Sequence, residues 1–263
     1  MARKILSRSS AMVAALVGGL AITGAAKATF FSFASDVNSN GFTFAGSAGS
    51  GGSFTLTDFS RPNTYSLLVD DNNGPLPSLT VPVEFHSNLT VSQGTSTLIA
   101  GSLFQHSYRV LGTFGFYDMM GNALLTVNIG PNSGVLTVPG TSTAWSTAGA
   151  VLGADSYADV TYTATTAFVN ALGGAAAAAQ YGISVGGSGS ASSVGPDDFS
   201  FDLSVINTGS IGSGVPIDPT TKLPTGAWRS ESSFSGSAFG GIPSPASLSL
   251  IGLGGLVAVR RRR

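Results

Sequence analysis

Phe199-Ser200-Phe201-Asp202-Leu203-Ser204-Val205 decides the fold class. Apolar and polar residues alternate with a period of two, the pattern of a half-buried strand rather than of a helix. Phe199, Phe201, Leu203 and Val205 are assigned to a buried face, and Ser200, Asp202 and Ser204 to solvent. The same alternation runs through Val81, Val83 and Phe85, opposite Pro82, Glu84 and His86. It recurs where Phe54 and Leu56 separate Ser53, Thr55 and Thr57. Further strands are expected over 30–34, 65–69, 108–116, 123–129, 134–138, 159–165, 181–185 and 232–239.

Turn chemistry separates these strands. Asp71-Asn72-Asn73-Gly74-Pro75 reads as a tight turn, and Gly130-Pro131-Asn132-Ser133-Gly134 as the turn of a hairpin. Pro82 lacks an amide donor, which marks its strand as an edge. One helix is expected over 166–180. Its alanines favour it, and Gly173 and Gly174 each cost about 1 kcal/mol relative to alanine. Many short strands at this spacing predict an all-β protein, a single β-sandwich of jelly-roll or Greek-key type.

The chain has 263 residues and no cysteine, so disulfides, thiolate metal sites and cysteine nucleophiles are excluded. Charge is divided unevenly along it. Of twelve Lys and Arg, Arg3, Lys4, Arg8 and Lys27 lie near the start and Arg260, Arg261, Arg262 and Arg263 at the end. Only Arg61, Arg109, Lys222 and Arg229 remain between them, against all thirteen acidic residues, so the middle carries a net charge of −9. Such a body does not suit nucleic acid or an anionic lipid surface. It suits solubility outside a cell.

The first 28 residues read as a signal peptide. Arg3, Lys4 and Arg8 precede an apolar stretch, 11–25, and Ala26-Lys27-Ala28 supplies small residues at −3 and −1. Cleavage is expected after Ala28, making Thr29 the mature start and signal peptidase a partner. At the other end, Pro243-Ser244-Pro245 precedes an apolar run, 246–259, and the four terminal arginines. At fourteen residues this run is short of the roughly twenty of a spanning helix. Snorkelling arginines extend the span and hold the end on the cytoplasmic side.

This tail, 242–263, resembles the PEP-CTERM sorting signal of Gram-negative bacteria, with Ser244 in place of the central glutamate. The resemblance is confined to the tail. It implies export, transient anchoring in the inner membrane by a short transmembrane helix, and cleavage near Pro243 and Pro245 by an exosortase-like enzyme. The product would reside at the cell surface or outside the cell. It implies nothing about the core, 29–241.

The core holds little catalytic chemistry. There are two histidines, His86 and His106, and no His-Glu-x-x-His, Walker A or Gly-x-Ser-x-Gly pattern. Glu84 and His86 share one strand face, a spacing that exposed polar residues also produce. A serine–histidine site on His106 has no supporting pattern. Asp70, Asp71, Asn72 and Asn73, and Asp197 with Asp198, are oxygen-rich turns of the kind calcium favours, without EF-hand spacing. Trp145 and Trp228 are candidates for stacking on sugar rings. The expectation is a non-enzymatic, exported surface or extracellular-matrix protein with no cofactor and no metal. The alternative is a carbohydrate-binding module acting in exopolysaccharide, with calcium as an aid.

Overall fold

A computed structural model describes residues 29–34, 42–58, 65–71, 75–154, 159–183, 188–189, 198–209 and 214–238. The signal peptide and the sorting tail lie outside the described residues. The strands are β1 (Thr29–Ala34), β2 (Phe42–Gly46), β3 (Ser53–Asp58), β4 (Tyr65–Asp70), β5 (Leu79–Ala100), β6 (Leu103–Tyr117) and β7 (Ala123–Gly140). They continue as β8 (Ala144–Trp145), β9 (Ala150–Ala154), β10 (Val160–Ala164), β11 (Ser188–Gly189), β12 (Asp198–Asn207), β13 (Val215–Pro216) and β14 (Trp228–Ala238). Two short helices, α1 (Thr166–Ala171) and α2 (Ala175–Gln180), follow β10.

The protein is all-β, and its strands form one large antiparallel sheet. That sheet closes on itself. β14 pairs with β12, β12 with β9, β9 with β7, β7 with β6, and β6 with β5. β5 pairs with β3, β3 with β2, and β2 with β14 again. A second route runs from β14 through β1 and β4 to β5. Closure removes the free edges of the ring strands, while β11, paired with β10, and β13, paired with β8, lie outside the ring.

The strands alternate in direction, so the ring has two ends. At the terminal end, Thr29 begins β1 opposite Ala238, the last residue of β14. α1 and α2 pack at this end, with Phe168, Val169, Leu172 and Ala178 buried. At the far end stand the β5–β6 hairpin, β8, β13 and the start of β14. Leu98, Ile99 and Leu103 at the hairpin tip are about half exposed.

The interior is aromatic. Phe114 on β6 meets Phe201 on β12 at 5.1 Å and Phe234 on β14 at 5.7 Å between ring centroids, both edge to face. Phe44 on β2 meets Phe201 at 5.2 Å, also edge to face. Each fully buried ring of this kind contributes about 1.5–3 kcal/mol by burial alone. The β12 alternation therefore does what its sequence predicts: Phe199, Phe201 and Leu203 are buried, and Asp202 and Ser204 are exposed.

Five local readings need correction. The strand expected over 181–185 does not form at 181–183, where Tyr181 caps α2 and a turn follows, and 184–185 lie outside the described residues. Val205 does not join the buried face. It is 40% exposed with φ 50°, because a bulge between Ser204 and Asn207 shifts the β12–β14 register. The Gly130–Gly134 segment is not a hairpin turn. The residues before and after it both pair with β6, as Ile129 with Gly112 and Gly134 with Val110, so the extra residues bulge from a continuous strand. There β7 exchanges its outer neighbour, β10 before the bulge and β9 after it. The expected single helix is two helices, broken at Gly173 and Gly174, with φ of 94° and 97°. β5 is not an edge strand as a whole. At Pro82 it pairs with Ser66 of β4 alone, and β6 joins only from Glu84, so the missing amide falls where no described partner needs it.

Candidate functional site

A cleft of about 220 Å³ opens at the far end, lined by Ala45, Gly46, Thr208, Gly209, Ala227, Trp228 and Arg229. The β12 bulge shapes one wall. Val205 is β-branched and held at positive φ, a strained state that persists only when its surroundings enforce it. Asn207 does the enforcing. Its Nδ2 donates to the Val205 carbonyl at 2.6 Å, and its Oδ1 accepts from the Gly209 amide at 2.9 Å. On the other wall, Trp228 lies against Gly46, its partner across the β2–β14 ladder. A Cβ added at Gly46 would sit 2.0 Å from Trp228 Cε2, so only glycine admits the indole there. Trp228 is 3% exposed, and its buried Nε1 has no acceptor.

The expected sugar-stacking role of Trp145 and Trp228 finds no open ring face. The two indoles meet edge to face at 5.1 Å and both are buried. Phe54 packs on each of them, and Tyr108 on Trp145. Trp145 Nε1 donates to Tyr108 Oη at 3.0 Å, and that hydroxyl donates to the Lys222 carbonyl at 2.5 Å. Burial pushes the Tyr108 hydroxyl up to about 12, against a smaller lowering by Trp145. These rings pack together at the far end of the closed sheet, and of them Trp228 also borders the cleft.

His86 sits between two carboxylates. Its Nδ1 is 3.4 Å from Asp58 Oδ2 and its Nε2 is 3.3 Å from Glu84 Oε2, with the Tyr117 ring 4.6 Å away. Asp58 also accepts from the Ser87 amide at 3.1 Å. The Glu84–His86 pairing was legible from spacing, whereas Asp58 arrives from β3. Among the described residues no group of three or more His, Asp or Glu side chains has the arrangement of a metal site.

His106 is fully buried. Its Nδ1 lies 2.7 Å from Ser96 Oγ, and its Nε2 lies 2.9 Å from the Thr141 carbonyl. A carbonyl only accepts, so Nε2 carries the proton and the Ser96 hydroxyl donates to Nδ1. Burial lowers the His106 pKa, opposed by the Thr141 bond and assisted by the Lys222 charge. Ser96 and His106 face each other across the β5–β6 ladder, so the pair clips the hairpin together.

The oxygen-rich turns are partly satisfied by serines outside them. Asp70 Oδ2 accepts from Ser78 Oγ at 2.6 Å, and Asp198 Oδ1 from Ser237 Oγ at 2.5 Å. Asp71 differs: it is 8% exposed and its Oδ1 has no partner. Asn72, Asn73 and Asp197 lie outside the described residues. So do Ala26, Ala28, Pro243, Pro245, Arg260, Arg261, Arg262 and Arg263. No described helix is long and apolar enough to cross a membrane.

Sequence reading missed Gly46 and Arg229 as cleft residues, and Asn207 as the residue that holds the adjoining bulge. Their roles come from a bulge and a cross-strand contact that no local pattern announces. Comparison with protein families, with curated proteins and with solved structures returned no match.

Proposed function

We propose that this chain is an exported, non-enzymatic protein of the cell surface or extracellular matrix, sorted through its PEP-CTERM-like tail. Signal peptidase removes 1–28. The apolar run 246–259 holds the protein in the inner membrane, and an exosortase-like enzyme cuts near Pro243 and Pro245. One observation carries the reading furthest: the first ladder residue, Thr29, is the residue that follows the Ala26-Lys27-Ala28 cleavage signal. Opposite it, Ala238 ends the ladder just before the tail. The body thus fills the interval between the two processing signals. Its aromatic contacts between β6 and the β12–β14 pair support a two-layer sandwich within the closed sheet.

Intact mass and cell fractionation in the native host test this reading. The expected product starts at Thr29, ends near 243–246 and leaves the membrane fraction. A membrane-bound form that keeps Arg260, Arg261, Arg262 and Arg263 removes the exosortase step. Changing those four arginines to alanine should arrest processing. Unaltered processing would remove the main support for sorting.

The second reading is a glycan-binding module, and the far-end cleft favours it. A small apolar recess bordered by Trp228, whose buried Nε1–H has no acceptor, and by Arg229 suits one sugar residue. Binding would then use the edge of Trp228, not stacking on its face. A glycan array probed with and without calcium tests it. Binding weakened by Trp228→Phe supports the cleft, and no binding to any glycan removes the reading.

A further inference from the structure

Asp71 poses a problem in charge burial. It follows β4 directly, is 8% exposed, and its Oδ1 has no donor. Its Oδ2 receives only a long bond, 3.4 Å, from the Leu76 amide. A buried carboxylate oxygen left this way is strongly unfavourable unless a partner arrives. The described basic residues, Arg109, Lys222 and Arg229, lie in the middle or far part of the ring.

The β1–β4 register ends with Phe30 paired with Asp70; extended by one residue, it would set Thr29 opposite Asp71. Phe31 and Val69 are buried partners on the inner face, and the period of two puts Thr29 and Asp71 on that face as well. Opposed residues of an antiparallel pair have Cβ atoms about 4.5–5.5 Å apart. Thr29 is fully buried, and its hydroxyl already donates to the Tyr181 carbonyl. With the side chain engaged, the group on Thr29 that could answer a carboxylate is its main-chain nitrogen.

We infer that Asp71 receives the α-ammonium group that removal of the signal peptide creates on Thr29. The inference rests on the proposed cleavage after Ala28. Hydrolysis adds water across the Ala28–Thr29 amide. The carboxylate leaves with Ala28, and the amine stays on Thr29, where it takes up a proton near neutral pH. A neutral amide with one donor becomes a cation with three. Oδ1 of Asp71 gains its partner, and the buried ammonium gains its counter-charge. Thr29 is also laddered to Ala238, so the ion pair locks the seam where β1 lies between β4 and β14. Loss of the leader is thereby coupled to the stability of the closed ring.

The test compares four full-chain proteins purified from the host: wild type, Asp71→Asn, the leader-retaining Ala28→Phe, and the double variant. Each is identified by N-terminal sequencing and melted. Asp71→Asn should lower the Tm of the processed protein by roughly 5 °C or more. In the leader-retaining background it should leave the Tm unchanged or raise it. An equal loss in both backgrounds, with the mature protein starting at Thr29, overturns the ion pair and leaves the sorting proposal standing. A mature start elsewhere than Thr29 overturns the cleavage reading and the ion pair with it. Should Asp71→Asn fail to accumulate, the wild-type α-amine is dimethylated with carbon-13 and titrated by NMR. A titration well above the ordinary value of about 8 supports the pair, and one at or below it overturns the pair.

Discussion

Thr29 and Ala238 face each other across an antiparallel ladder, so the chain enters and leaves the sheet side by side. Thr29 is fully buried and bonded through its hydroxyl to the Tyr181 carbonyl. A peptidase needs the residues on both sides of the scissile bond extended in its own cleft, and the folded ring denies it Thr29. Signal cleavage is therefore expected before β1 docks. Folded full-length precursor should resist purified signal peptidase, whereas the same precursor in urea compatible with the enzyme should be cut. Equal cutting of both forms would contradict this order. The C-terminal site differs, since Pro243 and Pro245 follow the last ladder residue by five and seven positions. That spacing permits cleavage of the folded domain.

Gly46→Ala places a methyl 2.0 Å from Trp228 Cε2 and 2.1 Å from Nε1. The indole is pinned by Trp145 and Phe54 and cannot retreat without moving the far-end cluster. Overpacking of this kind costs about 1–3 kcal/mol. A urea titration followed by tryptophan emission should show the loss together with an altered native spectrum. An unchanged midpoint would mean that the indole has room to move.

Tyr108→Phe leaves the Trp145 indole N–H and the Lys222 carbonyl without their shared hydroxyl. The expected cost is about 1–3 kcal/mol, read as a lower urea midpoint. The same hydroxyl predicts an alkaline limit. Its folded pKa of about 12 lies above the unfolded value near 10, so its contribution is complete below pH 10 and declines as pH rises towards 12. Absorbance at alkaline pH should show a tyrosine that ionises late in the native protein, and its absence in the Phe variant would assign it.

His106 sets an acid limit. Burial lowers its folded pKa, so the unfolded chain takes up a proton first as pH falls. Its contribution is full above about pH 6.5 and is lost progressively below that, down to its depressed folded pKa. Urea midpoints measured from pH 7.5 to 5 should fall, and His106→Gln should flatten that slope. A slope that survives the substitution would place the acid sensitivity at another group.

The strand content was legible because Phe199, Phe201 and Leu203, or Val81, Val83 and Phe85, carry their periodicity locally. Closure of the sheet was not, since pairing β5 with β6 and β14 with β12 and β2 is non-local information. The bulge at 130–133 illustrates the limit. Its Gly-Pro-Asn-Ser-Gly chemistry is that of a turn, and only the shared partner β6 shows that the chain does not reverse. The tryptophans failed as exposed stacking platforms for a related reason. Trp145 and Trp228 lie far apart in sequence, and their contact depends on β8 and β14 meeting at the far end. Asp58 joined His86 in the same way, from a strand whose pairing no local signal specifies.

β14 lies between β12 on one side and β2 and β1 on the other along most of its eleven residues. A leash attached after Ala238 would pull along this strand while drag or a captured ligand held the far end. The ladder hydrogen bonds run across the line of force, so both flanks would be loaded in shear, many bonds together, rather than unzipped singly. Such a body would bear tension from its C-terminus as a rivet does, with a strand gripped on both flanks placed where the load enters.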